Sequence, residues 1–152
     1  MKIPNKRARF EYLLESERYE AGVSLTGGEA KAIRGGHIDI SQSVARIADG
    51  QAYLINANIP VAGATKYDSK RTRKLLLHRD EIVSIATKMK QRKLTLVPLK
   101  VYTKQSLRPG GQKGRFVKFE LALARPKRKF EKKEAIKKKD IERELAREFK
   151  VK

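Results

Sequence analysis

Hydrophobic and polar residues alternate with a period of two in several parts of the chain, which predicts β-strands with one solvated face. The clearest case is residues 43–59, where two alternating runs flank Asp49-Gly50, the dipeptide typical of a type I′ hairpin turn. Residues 8–25 alternate in the same way around a polar stretch and predict another hairpin, with its turn at residues 15–18. The sequence therefore predicts short antiparallel strands from its first residues onward.

Two later runs rich in β-forming residues predict a further antiparallel pair, over 94–103 and 116–124. The stretch between them, Lys104–Arg115, contains four cations and three of the chain's glycines. We expect it to be a long surface loop. A flexible insertion and a loop that contacts phosphates both agree with this composition.

The hydrophobic period changes to that of a helix in two places. Thr26 and Glu29 have the spacing of a capping box, so a short helix is predicted over 29–34, ending at Gly35-Gly36. Apolar residues at helical spacing predict a second helix over 79–90. Together these elements predict a mainly β fold: a small antiparallel β-barrel of the oligonucleotide-binding type, with two to three flanking helices and a basic C-terminal tail.

The formal net charge is +20, from 37 Lys and Arg against 17 Asp and Glu. Such an excess opposes compaction by self-repulsion and indicates a polyanionic partner: RNA, DNA or an anionic membrane. The excess occurs in both parts of the chain, the predicted RNA-binding barrel domain (1–125) and the tail (126–152). The tail has only a thin apolar stripe, so we expect it to be disordered alone and helical when a polyanion holds it.

The same composition argues against several classes of protein. The sequence contains no cysteine and two histidines, so we expect no disulfide, no metal site and no histidine-based catalytic centre. No apolar run is long enough to cross a bilayer, and the N-terminus lacks the apolar segment of a signal peptide. We therefore expect a cytoplasmic protein that is not an enzyme, has no cofactor and contacts no membrane.

The segment from Arg71 to His78 places cations directly before three leucines. Leucine favours a core, whereas a cation favours water, a carboxylate or a phosphate, so we expect the chain to enter the folded body here. Arg71, Arg73 and Lys74 would then lie at the rim, beside whatever the body binds. For the segment alone, a charged rim without a ligand is the simpler explanation.

Two further basic groups are candidates for phosphate contact. The N-terminal arm flanks a predicted strand and contains Asn5, Lys6, Arg7 and Arg9. Lys31 and Arg34 are three residues apart and would share one helix face. A solvated helix face explains Lys31 and Arg34 as well as RNA contact does, and their spacing leaves both interpretations open.

Five motifs, taken in order, resemble one family, the tmRNA-binding small protein B or SsrA-binding proteins. The motifs are Asn5-Lys6-Arg7-Ala8-Arg9, Tyr19-Glu20-Ala21-Gly22, Gly28-Glu29-Ala30-Lys31 with Arg34 and Gly36, Arg71–His78, and Leu94-Thr95-Leu96-Val97-Pro98-Leu99-Lys100, followed by the basic tail. No single motif is specific, but their order is, and the resemblance covers nearly the whole chain.

The resemblance implies an RNA-binding protein of trans-translation that binds the tRNA-like domain of tmRNA. It implies that the protein brings alanyl-tmRNA, with elongation factor Tu and GTP, to a stalled 70S ribosome. The tail would become helical on the ribosome and enter the empty mRNA channel beside the decoding centre. We expect the protein to be a monomer.

The resemblance also implies roles for single residues. Asn5, Glu20, Leu76 and Lys118 match positions where the family has its tmRNA-binding surface. Lys118 would meet a phosphate, and Glu20 would accept hydrogen bonds from a sugar or base or orient a neighbouring arginine. Leu76 would pack on a ribose or base, although leucine is more often a core residue. The cations before Leu76 would hold RNA backbone near it.

The tail residues expected to contact the ribosome are Phe130, Lys132, Lys133, Ile136 and Lys137. Here the sequence departs from the family pattern, because Pro126 replaces a usual glycine. In addition, Phe130-Glu131-Lys132-Lys133 stands where the family has an Asp-Lys-Arg step, and lysine does not reproduce the bidentate contacts of arginine.

Two other functions are alternatives to tmRNA binding. One is a generic structured-RNA-binding or ribosome-associated protein with the same barrel. The other is a nuclease, which would need clustered acids or histidines for metal or acid–base chemistry, and the sequence shows none.

Overall fold

The computed structural model describes residues 1–63, 66–107, 110–111, 113–128, 132–133 and 137–144. Seven strands are assigned in this part of the chain: β1 (Lys2–Pro4), β2 (Tyr12–Val23), β3 (Val44–Ala48), β4 (Gln51–Ile55), β5 (Arg73–Leu76), β6 (Thr95–Leu107) and β7 (Lys113–Pro126). Three helices accompany them: α1 (Lys6–Glu11), α2 (Gly27–Arg34) and α3 (Arg79–Arg92). Residues 137–144 of the tail are also helical.

The strands close into an antiparallel barrel. Their order is β1-β6-β3-β4-β5-β2-β7, and a further pairing of β6 with β7 joins the two sides of the sheet. β1 lies outside this closed ring, against β6. Closure removes the unpaired edges that an open sheet would expose. The predicted fold class, a small antiparallel barrel with flanking helices, is confirmed.

Alternation along the strands sends one set of side chains into the barrel. Ala21 on β2, Val101 on β6 and Phe119 on β7 are fully buried. Ile33 of α2 and Ile85 of α3 are also fully buried and belong to the same apolar cluster. The two helices therefore pack on the barrel core, and their apolar spacing serves that core.

A second, smaller apolar cluster lies beneath α1. Ala8 of α1 packs with Val97 and Leu99 of β6 and with Ala122 and Ala124 of β7. This helix therefore covers one part of the β6–β7 pair, while other outward-facing side chains of the same strands are exposed or partly exposed.

Several local predictions are confirmed. Asp49 (φ 51°) and Gly50 (φ 72°) form the turn between β3 and β4, and both have the positive φ that a type I′ turn requires. The Thr26 hydroxyl accepts a hydrogen bond from the Glu29 N–H, and the Glu29 carboxylate accepts one from the Thr26 N–H, so the capping box is present. The second predicted helix is α3.

The hairpin predicted over residues 8–25 is wrong. Residues 6–11 form α1, and β2 continues as one strand that pairs with β7 from Tyr12 to Gly22. The polar residues 15–18 are accommodated as an irregularity in this pairing, between Leu14 and Arg18, and do not form a turn. The overlooked signal was Asn5, whose side chain caps the first turn of α1.

The long loop predicted over residues 104–115 is also wrong in extent. β6 and β7 continue beyond the apolar runs, and their pairing extends to Leu107 and Lys113. Between them, Gly110 (φ +99°) and Gly111 (φ +85°) adopt backbone conformations that other residues rarely adopt. Lys104 and Arg115, predicted in a loop, are strand residues with defined cross-strand neighbours.

Candidate nucleic-acid interface

The strand register aligns outward-facing residues of β1, β2, β5, β6 and β7 into two neighbouring rows. The first row runs across the strands as Leu76, Gly22, Lys118, Tyr102 and Lys2. The second runs as Glu20, Glu120, Lys100 and Pro4. Their neighbours along each strand point into the barrel, so the side chains of both rows point outward. We call this surface the row face.

Glu20 is held by two side chains of β6. Its carboxylate accepts a hydrogen bond from the Tyr102 hydroxyl, and it lies 3.3 Å from Lys104 Nζ. The Tyr102 hydrogen bond is the largest cause of a lowered pKa for Glu20, and Lys104 adds to it against a smaller effect of burial. Glu20 is therefore an anion at neutral pH that orients a hydroxyl and an ammonium group on this surface.

Opposite Glu20 on β7, Glu120 pairs with Lys100, with Oε2 and Nζ 3.1 Å apart. Lys100 Nζ also lies 5.7 Å from the centre of the Tyr102 ring, within the range of a cation–π interaction. These contacts offset the repulsion that two glutamates on adjacent strands would otherwise cause. Four lysines stand beside the two glutamates of this surface, so it is cationic overall: Lys2, Lys100, Lys104 and Lys118.

Leu76 is 54% exposed, although its residue type favours a core. In β5 the side chains alternate, so Leu75 enters the barrel and Leu76 faces outward beside Gly22. A Cβ at Gly22 would lie 3.3 Å from Leu76 Cβ and 3.6 Å from Lys118 Nζ. The glycine therefore leaves room between an apolar and a cationic side chain.

Helix α2 contributes Arg34 to the same region. Arg34 lines a cleft of about 270 Å³ together with Leu76 and Lys118, while its Nε donates to the Ala30 carbonyl at 3.3 Å. Lys31 is exposed but lines a different groove, with His37 and the loop at 60–62. The structure thus brings Arg34, but not Lys31, to the cleft that contains Leu76 and Lys118.

Arg73 does not lie at a rim, as the sequence led us to expect. Its side chain is 0% exposed, and both Nε (2.7 Å) and Nη2 (2.6 Å) contact Oε2 of the equally buried Glu29. Nη1 donates to the Ala57 carbonyl at 2.9 Å, and Nη2 donates to the Ser69 carbonyl at 3.0 Å. We correct the expected position: Arg73 is a buried cation that pairs with Glu29 and does not lie at the rim.

Glu29 binds two further side chains. Arg71 forms an ion pair with it while staying about one-third exposed, and the Tyr67 hydroxyl donates to Oε2 at 2.8 Å. Burial alone would raise the pKa of Glu29, but hydrogen bonds from Arg71, the Thr26 N–H, Tyr67 and Arg73 together lower it to about 2. This buried network joins the start of α2 to the segment that leads into β5. Lys74, next along β5, is exposed.

Asn5 is 4% exposed, so its side chain lies beneath the surface and not, as the sequence led us to expect, on an exposed arm. Its Nδ2 donates to the carbonyls of Ile40 (3.1 Å) and Pro98 (2.8 Å), and its Oδ1 accepts from the Ala8 N–H at 3.2 Å. Through these hydrogen bonds Asn5 positions α1 against β6. An amide is tolerated in the interior when its hydrogen bonds are made, as they are here.

The other predicted residues of the N-terminal arm form a separate basic patch on α1. Lys6, Arg7 and Arg9 are exposed, and Arg7 Nε bonds Glu11 at 2.7 Å. The start of the tail is fastened here, because Lys127 N–H donates to the Glu11 carbonyl at 2.7 Å. Lys127 Nζ also donates to the Arg9 carbonyl at 3.1 Å. The basic α1 surface and the beginning of the tail are therefore contiguous.

Three residues of β6 that lie on or beside the row face were not predicted as site residues: Lys100, Tyr102 and Lys104. Their period-two spacing on β6 was visible, but only the pairing with β7 shows that they stand beside Glu20 and Lys118.

Of the tail residues expected to contact the ribosome, Lys132, Lys133 and Lys137 have helical backbone. Phe130 and Ile136 lie outside the described residues.

Fold and surface together define a class: an oligonucleotide-binding type of barrel with a cationic outer face. Over residues 2–151 the chain matches the model of the SmpB protein family. It is 44% identical over 151 residues to an SsrA-binding protein of Sulfurihydrogenibium sp., covering 97% of this chain and 93% of that protein. It is 42% identical over 148 residues to an SsrA-binding protein of Gloeobacter violaceus, covering 95% and 91%.

Among solved structures, a similar chain occurs in one described as "tmRNA-SmpB: a journey to the center of the bacterial ribosome". The sequence identity is 40%, the TM-score is 0.62, and the match covers 89% of this chain and 94% of that chain. The chain belongs to the SmpB protein family. This is a family of RNA-binding proteins and not of enzymes, so the prediction of a non-enzymatic RNA-binding protein is confirmed. Among the described residues, no helix has the length and apolar character needed to span a membrane.

Proposed function

We propose that this chain binds the tRNA-like domain of tmRNA in trans-translation, and that the row face and the adjoining cleft are the surface that does so. One observation carries the proposal. Glu20, Leu76 and Lys118, which lie far apart in sequence, come together on adjacent strands around Gly22. The relatives named SsrA-binding proteins, and the similar chain from the tmRNA-SmpB structure, support the same RNA as the partner.

The chemistry of the surface fits a folded RNA that is recognised by contour. Lys118 supplies charge for a phosphate, and exposed Leu76 supplies apolar area for a ribose or base. Glu20 accepts hydrogen bonds and holds the Lys104 ammonium in place. Lys74, two residues before Leu76 on β5, and Arg34 of the cleft extend the positive field at the margin of this surface. Such a surface positions RNA through its backbone more than through its base sequence.

We further propose that the protein acts on the ribosome. The protein, as a monomer, would accompany alanyl-tmRNA with elongation factor Tu and GTP to a stalled 70S ribosome. The tail would then leave the body at the basic α1 patch and follow the empty mRNA channel from the decoding centre. The anchoring of Lys127 on α1 supports a fixed point of departure. The helical backbone at residues 137–144 supports a helical tail.

Binding at two salt concentrations tests the RNA partner. The isolated tRNA-like domain of tmRNA and an ordinary tRNA of matched length would be titrated with the full chain at low and at raised salt. Charge attraction shared by all RNAs weakens as salt rises, whereas contour-specific contacts persist. We expect a preference for the tRNA-like domain that grows with salt. Equal affinity for both RNAs at raised salt would contradict the proposal and favour a generic RNA-binding protein.

A further inference from the structure

The cleft beside the row face has a composition that phosphate binding alone does not explain. It is formed by α2, β2, β5 and β7 and encloses about 270 Å³. Its apolar residues include Leu76, which is 54% exposed, and Phe116, which is 37% exposed. A single exposed apolar side chain is common on a protein surface, but here two line the same concave cleft, which fits an apolar group of a ligand.

Cations surround this apolar area. Arg34 of α2, Arg115 of β7 and Lys118 of β7 line the same cleft, and both arginines are exposed. A nucleoside combines the two chemistries that the cleft offers, because its base has an apolar π-face and its sugar is flanked by phosphates. An apolar peptide would need only the first chemistry, and a bare polyanion only the second.

The position of Phe116 links the cleft to the row face. Phe116 pairs across to Lys104 of β6 and lies two residues before Lys118, so it shares the outward direction of those two lysines. An RNA backbone following the lysines would therefore pass the ring. Gly22 keeps the neighbouring space open, since a Cβ there would lie within 3.6 Å of both Leu76 and Lys118 Nζ.

We propose that this cleft receives one unpaired base of the bound RNA, that Phe116 is the platform on which the base stacks, and that Arg34, Arg115 and Lys118 hold its flanking phosphates. The inference rests on the proposed function for the identity of the RNA, and it adds a base-binding subsite to a surface otherwise explained by shape and charge.

Affinity measurements separate stacking from charge. Phe116→Leu removes the ring but keeps an apolar side chain, and we expect it to weaken binding of the tRNA-like domain about tenfold, the usual effect of losing one stacked base. The slope of log affinity against log salt should stay at the parent value, because no phosphate contact is lost. Val83→Ala, at a 59% exposed position on α3, is the control and should bind like the parent.

Fluorescence gives a second and more local readout. The chain contains no tryptophan, so Phe116→Trp introduces a single indole at the cleft. This variant should bind RNA like the parent, and its emission should be quenched by the RNA but not by heparin, a polyanion without bases. Val83→Trp, the matched control on α3, should show no quenching.

The outcomes distinguish the two proposals. If Phe116→Leu binds the tRNA-like domain within twofold of the parent, or if heparin quenches the Phe116→Trp variant as RNA does, the base-binding cleft is refuted. A different result is that the parent binds the tRNA-like domain and the ordinary tRNA equally well, while each of these RNAs quenches the Phe116→Trp variant. That result would support the base-binding cleft and refute tmRNA as the specific partner. Thermal unfolding of each variant verifies that it is folded.

Discussion

Glu29 and Arg73 are both fully buried, and Oε2 of Glu29 lies 2.6 Å from Nη2 of Arg73. The pair joins α2 to β5, whose outward residues Lys74 and Leu76 adjoin the candidate interface. Removing one partner leaves a buried charge uncompensated, which costs far more than losing a surface ion pair. The pair therefore holds α2 and β5 together.

We expect Glu29→Ala to lower the free energy of unfolding by about 3 kcal/mol, because Arg73 keeps its charge without its main partner. Urea titration at neutral pH measures this change. Glu142→Gln, at an exposed tail position, is the control and should leave the urea midpoint unchanged. In a double-mutant cycle with Arg73→Met, the second substitution should cost less in the Glu29→Ala background than alone. Strictly additive costs would contradict a direct coupling.

The stability of the protein should also depend on pH through Glu29. Its pKa is about 2 when folded against 4.5 for the free side chain, so the unfolded chain binds the proton more readily. The contribution of ionised Glu29 to the free energy of unfolding is fully present above pH 4.5 and is lost as the pH falls toward 2. The difference between the two pKa values corresponds to about 3 kcal/mol in the free energy of unfolding.

Urea titrations between pH 2.5 and 6 test this dependence. The parent should lose stability steeply over the range, and Glu29→Gln should lose less, because it lacks the titrating group. Other acids with lowered pKa, such as Glu17 and Glu20, remain in both proteins and cancel in the comparison. Parallel curves for the two proteins would show that Glu29 does not supply the effect.

The role of Arg73 shows where sequence reasoning reached its limit. Arg71, Arg73 and Lys74 look alike in sequence, and a cation is expected at the surface. Only the alternation of β5, together with a buried carboxylate from α2, places Arg73 inside and Lys74 outside. The partner, Glu29, was identified only as a capping residue, because its second function depends on a segment more than 40 residues away.

Short sequence motifs predicted those parts of the fold that depend only on residues close together in the chain. The Asp49-Gly50 turn and the capping box at Thr26 formed as expected, since each needs only a few neighbouring residues. The hairpin predicted over residues 8–25 was wrong, because pairing with β7 stabilises β2 as one strand through its polar residues. The row face was recognised only in part, because Lys100 and Tyr102 join Glu20 through cross-strand register, which no local pattern encodes.

Asn5 should prove to be a stability residue. Asn5→Ala removes the cap of α1 and leaves the Ile40 and Pro98 carbonyls without their donor, so we expect a loss of about 2 kcal/mol in the free energy of unfolding. Gln42→Ala, at an exposed position nearby, is the control. Under conditions where both variants are folded, the salt dependence of RNA binding should match the parent. A reduced salt slope for Asn5→Ala would contradict a purely positioning role.

Lys118, in contrast to Asn5, should contribute to RNA binding and not to stability. We expect Lys118→Ala to leave the urea midpoint nearly unchanged but to weaken binding of the tRNA-like domain, and to reduce the slope of log affinity against log salt by roughly 0.7–0.9, the value for one phosphate contact. Lys90→Ala, which removes an exposed lysine from α3, is the matched control and should change neither quantity. An unchanged slope for Lys118→Ala would show that its ammonium does not meet a phosphate.

We expect that the tail can be removed without disturbing the barrel if the truncated chain keeps residues 126–128 and their contacts. Pro126 still pairs with Tyr12, and Lys127 is fastened to α1 through the Glu11 carbonyl, so truncation after Arg128 keeps both. We expect the truncated protein to bind the tRNA-like domain with nearly parental affinity but to fail to support tagging of stalled chains in a reconstituted translation system. Lys118→Ala is the reciprocal control, because it should impair RNA binding while its tail stays intact. If truncation abolished RNA binding, the division of labour between barrel and tail would be wrong, because the tail would then be part of the surface that holds tmRNA.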